Sequence, residues 1–71
     1  MQHIYDRLAT ARKLDGGWAA HYAADIGSVL DGTANAAALD QRMSQARGSR
    51  YTSKWATFYI EDIEELIALT V

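Results

Sequence analysis

The chain has no cysteine, so no disulfide braces it and no thiolate can hold a metal. It has no proline, which leaves glycine as the only strong interrupter of helices. An excess of one charge is also missing. Seven basic residues against nine acidic ones leave −2, which excludes a surface that is basic all round. Long apolar runs are absent as well: the longest stretch free of acids, bases and histidine is eight residues, Gly32–Leu39, far below the roughly 20 needed to cross a bilayer. The N-terminal segment carries Asp6 and no apolar block, so we read no signal peptide and expect a cytoplasmic protein of bacterial or phage origin. At 71 residues the expectation is a single domain, 1–71, with a thin core, because thirteen of the apolar residues are alanine.

What is present is helical periodicity. Ile4, Leu8, Ala11 and Leu14 recur every three or four residues, which predicts a helix over 2–14 ended by Gly16 and Gly17. Trp18, Tyr22, Ile26 and Val29 predict a second helix over 18–30, with Asp15 at its start and Gly32 at its exit. Gly27 inside it suggests close approach of a neighbouring helix. Leu39, Met43 and Ala46 predict a third over 36–47, capped by Thr33 or Asn35 and stopped by Gly48. The last segment, 51–70, carries two apolar rows through Trp55, Tyr59, Ile63 and Leu66 and through Ala56, Ile60, Ile63 and Ile67. Its aromatic and β-branched start also fits a strand over 51–60, but a lone strand has no partner in this chain. The expected fold is therefore all-α, a small bundle of three or four short helices around a long central C-terminal one. Leu8, Trp18, Tyr22, Ile26, Leu39, Met43, Trp55, Tyr59, Ile63 and Leu66 are the expected core. We register no internal repeat, linker or low-complexity tract.

Little in the sequence points to catalysis. His21, Asp25 and Ser28 share a face of the second helix and have the residue types of a nucleophilic triad. Their order places the acid between base and nucleophile, and side chains on one helix run parallel rather than converge. They read as a solvated polar face opposite Trp18 and Tyr22. His21 and Asp25 lack a third metal ligand, since His3 is the only other histidine, and the five glycines match no phosphate-binding fingerprint. We expect no enzyme, no cofactor and no metal.

Charge layout carries more information. Arg42, Arg47, Arg50 and Lys54 lie in a stretch without acids, whereas Glu61, Asp62, Glu64 and Glu65 lie in one without bases. Like charges thus fall four apart, and bases precede acids along the last helix, both unfavourable locally. These charges are expected to be matched elsewhere, in the same fold or on a partner. The leading expectation is a protein-binding adaptor or inhibitor that contacts its partner through Arg47, Arg50, Tyr51, Lys54, Phe58, Glu61, Asp62, Glu64 and Glu65. It is expected to form a homodimer, with the last helices antiparallel about Phe58 and Lys54 facing Asp62 of the second copy. The alternative is a helix-turn-helix regulator of nucleic acid using 47–54, with Ser49 capping a helix that displays Arg50, Tyr51, Ser53, Lys54 and Thr57.

Overall fold

The computed structural model describes residues 2–14, 16–49 and 52–70. The architecture is all-α, with helices α1 (Gln2–Arg12), α2 (Gly17–Asp31), α3 (Ala36–Ser49) and α4 (Lys54–Thr70). Among the described residues there is no strand, and the segment read as helix or strand is helical from Lys54 onward.

Local chemistry explains most of the boundaries. Gly16 and Gly17, at φ 75° and 63°, take the positive-φ backbone, open to glycine, that turns α1 into α2. Asp15, the expected cap there, lies outside the described residues. Gly32, at φ 76°, closes α2: its N–H donates to Val29 O at 3.2 Å and that of Thr33 to Ser28 O at 2.9 Å. Asn35 Oδ1 accepts the Ala38 N–H at 3.0 Å and caps α3. Gly48 does not stop α3. It stays helical, and the carbonyl of Ser49 ends the helix by accepting the N–H groups of Thr52 and Ser53, each at 3.0 Å.

The helices form two hairpins, α1–α2 and α3–α4, joined by residues 32–35, and α2 packs on α4 between them. The C-terminal helix α4, of 17 residues, is the longest, and it lies beside α2, of 15, so that the two share the centre. Seven of the ten expected core residues are buried. Trp18, Leu39 and Trp55 are only half-buried at the edge of the cluster, while Ile4, Ala11, Ala19, Ala46 and Ala56 complete it. Alanines serve here because small side chains let helix axes approach.

The buried set exposes a repeat that the sequence reading missed. It contains twelve apolar residues, six from each hairpin. Leu8, Ala11, Ala19, Tyr22 and Ile26 of the first correspond to Met43, Ala46, Ala56, Tyr59 and Ile63 of the second. In sequence, Trp-Ala-x-x-Tyr-x-x-Asp-Ile stands at 18–26 and again at 55–63. Upstream, Ile4, Arg7, Leu8, Ala11 and Arg12 align with Leu39, Arg42, Met43, Ala46 and Arg47. The offset is 35 positions between α1 and α3 but 37 between α2 and α4, because α3 runs two residues further, through Gly48 and Ser49. The domain is one helical hairpin built twice.

Candidate functional site

The polar residues of the repeat converge across the hairpin interface. From α4, Asp62 points inward and is 2% exposed. It accepts a hydrogen bond from Arg7 Nη1 of α1 at 2.8 Å through Oδ1, and one from the Tyr22 hydroxyl of α2 through Oδ2. The repeat-related cluster is built from the opposite helices. Asp25 of α2 accepts the Tyr59 hydroxyl of α4 at 2.6 Å, and Arg42 Nε of α3 lies 3.6 Å from the same oxygen. Each hairpin therefore supplies a tyrosine and an arginine to the aspartate of the other.

Aromatic contacts obey the same exchange. Trp18 meets Tyr59 edge-on at 5.6 Å, and Trp55 meets Tyr22 at 5.2 Å. Within their own helices, Trp18 meets His21 at 5.1 Å and Trp55 meets Phe58 at 5.3 Å. Arg7 lies 4.1 Å over the Phe58 ring, and at the matching place Arg42 Nη1 donates to His21 Nδ1. Reciprocal contacts of this kind mark an isologous interface, the type formed by two-fold dimers, here inside one chain.

Electrostatically the clusters are closed. Burial, and then the hydrogen bond to the facing carboxylate, push both Tyr22 and Tyr59 well above the ordinary phenol range. Both phenols are therefore neutral donors; Asp62 is engaged through both of its oxygens, whereas both contacts to Asp25 fall on Oδ2. This revises the polar-face reading of α2. Asp25 is turned inward toward Tyr59 and Arg42, His21 stacks on Trp18, and Ser28 Oγ donates to Ala24 O of its own helix at 2.9 Å. The three do not converge as a triad. No group of three metal-ligating side chains occurs among the described residues.

The expected partner-binding residues divide sharply. Asp62 is interior and is not available to a second copy, so the antiparallel register built on Lys54 facing Asp62 is overturned. The rest of the acidic block is matched within the fold: Glu61 lies 3.7 Å from Arg7, Glu64 lies 3.6 Å from Arg47, and Glu65 lies 3.0 Å from His3. Lys54 is exposed, and Phe58 is half-buried beneath Arg7. Arg50 and Tyr51 lie outside the described residues. Ser49 is the last residue of α3 rather than the cap of α4, and Thr57 is half-buried, so the imagined recognition helix begins too early.

One open cleft of about 250 Å³ lies between α1 and the start of α4. Asp6, Arg7 and Thr10 line it on one side, and Lys54, Trp55 and Phe58 on the other. No helix among the described residues is long and apolar enough to cross a membrane. No family model, curated protein or solved structure matches this chain.

Proposed function

We propose that the protein is a non-enzymatic protein-interaction module, an adaptor or inhibitor, that receives a side chain of another protein in the α1–α4 cleft. The observation that carries this reading is the cleft itself. Its walls offer two aromatic rings, Trp55 and Phe58, and the exposed cation Lys54, against the acid Asp6; Arg7 also lines it but is held by Asp62 and Glu61. An apolar side chain flanked by a carboxylate suits such a lining. The buried polar clusters support the same reading, because their groups are engaged with one another and leave the outer surface to do the work.

The test is capture of partners from the native host by immobilised wild-type protein, by Lys54→Glu, and by Thr10→Trp, which fills the cleft from an exposed position. A protein retained by the wild type and lost by both variants, with helix content unchanged, supports the reading. Identical retention by all three would sink it. A nucleic-acid reading draws on the same lysine and rings. Binding to random duplex DNA that falls steeply with salt from about 50 mM, and is lost in Lys54→Glu and Arg50→Glu, would decide for that reading instead.

A further inference from the structure

The surface that joins the two hairpins is self-complementary. Arg7 and Tyr22 of the first meet Asp62 of the second, and Arg42 and Tyr59 of the second meet Asp25 of the first. The two edge-on Trp–Tyr contacts cross the same boundary. Nothing in these contacts requires that the two hairpins belong to one chain. They are joined only by residues 32–35, which are exposed. The reversal there depends on Gly32, whose left-handed backbone bends the chain between α2 and α3. On either side the sequence favours helix, with Leu30 before the turn and Ala36, Ala37 and Ala38 after it.

We propose that a second copy of this chain is a partner for each hairpin, through exchange. The turn at 32–35 straightens, and α1–α2 of each chain docks on α3–α4 of the other. A closed dimer results, holding two complete cores. Every contact of the hairpin interface survives, and only the turn changes. What opposes exchange is the entropy of association, which concentration offsets, together with the preference of Gly32 for its bend. This differs in kind from the surface dimer overturned above, because it uses Asp62 where it already lies.

Two experiments on the full chain test it. A Cβ at position 32 meets nothing within 4 Å but occupies a left-handed residue, so Gly32→Ala strains the bend without a clash. Light scattering after size exclusion is expected to show a species of twice 7.8 kDa at high concentration, with dimer affinity raised roughly tenfold per turn in Gly32→Ala. The second experiment is complementation. Arg7→Asp and Asp62→Arg, made in separate chains, each break one bridge; mixed and refolded together, they restore both bridges only in an exchanged dimer. A mixed dimer melting above either variant alone is the expected result. The chain carrying both substitutions serves as control and should fold, with the concentration dependence of the wild type; should it fail, Arg42→Asp with Asp25→Arg repeats the design at the other cluster. Folded Gly32→Ala that stays at the mass of one chain at all concentrations overturns the proposal. So does a mixture that forms no mixed dimer although the control folds, or a dimer indifferent to Gly32→Ala.

Discussion

The two arginine–aspartate–tyrosine clusters come from the same sequence pattern, yet they are not equally tight. Around Asp62 the arginine is at 2.8 Å and the carboxylate is 2% exposed; around Asp25 the arginine is at 3.6 Å and the carboxylate is 22% exposed. The neighbours that break the symmetry explain the difference. Arg7 lies on Phe58, which holds the guanidinium by its face and leaves the N–H groups free for Asp62. Arg42 has His21 at that place, and it spends Nη1 on the imidazole. Glu61 adds a second acid beside Arg7, whereas the matching residue on α2 is Ala24. A duplicated motif is thus tuned by the residues between its fixed positions.

The comparison is broken most severely at the aspartates. Asp62→Ala strands a buried phenol and a half-buried guanidinium, and removing the buried member of such a pair costs about 3–5 kcal/mol at the upper end. That is comparable with the whole stability of a domain this small. Asp25→Ala removes a carboxylate that is itself 22% exposed and meets its arginine only at 3.6 Å, so about 1–3 kcal/mol is expected. Chemical denaturation of both variants measures the gap. Equal losses would show that the tighter geometry carries no extra energy.

Alkali offers a graded test of the same clusters. Both phenols have pKa values raised above the unfolded value of about 10, so the folded chain keeps protons that the unfolded chain releases. Their stabilisation is complete below about pH 10 and declines as pH rises beyond it. Each tyrosine contributes a slope of up to about 1.4 kcal/mol per pH unit. Melting curves between pH 9 and about pH 11.5 should therefore fall steeply for the wild type. Tyr22→Phe and Tyr59→Phe should each remove about half of that added slope, at a cost near neutrality of about 1–3 kcal/mol for the orphaned carboxylate. An unchanged slope would mean that the phenols titrate as freely in the folded state as in the unfolded one.

Helix positions were legible in the sequence because they follow from apolar spacing and glycine, both local signals. Gly32 and Asn35 act where their chemistry places them, whereas Gly48 was misread because a glycine stops a helix only when its backbone turns left-handed. Asp25 and Asp62 were misread for a different reason. Hydropathy assigns every aspartate to solvent, and only the tertiary partner shows that a tyrosine and an arginine can draw one inward. The signal was nevertheless present in Trp-Ala-x-x-Tyr-x-x-Asp-Ile at 18–26 and 55–63. A search for one fixed period misses it, because the two-residue extension of α3 changes the offset between the first and second helices of each hairpin. The local charge penalties on α4 were correctly read as needing compensation, and that compensation proved to be internal, through Arg7, Arg47 and His3.

The smallest expected effect lies where the repeat has lost a residue. Arg47 of α3 lies 3.6 Å from Glu64 of α4. The position matching Glu64 on α2 is Gly27, and a Cβ built there meets only Nη2 of Arg12, at 3.7 Å. Close approach of a helix therefore does not account for this glycine, contrary to the expectation from the sequence, and Arg12 stands where its repeat-mate has a carboxylate partner. Gly27 is helical and its surroundings leave room, so Gly27→Ala should stabilise the domain by about 0.5–1 kcal/mol through helix propensity alone. Gly27→Glu should recover most of that gain and add about 0.2–0.5 kcal/mol by pairing with Arg12, a surplus that salt screens away. Thermal melts of both variants at low and high salt separate the two contributions. A Gly27→Glu variant whose stability relative to Gly27→Ala is the same at low and high salt would show that the second hairpin's ion pair cannot be rebuilt in the first.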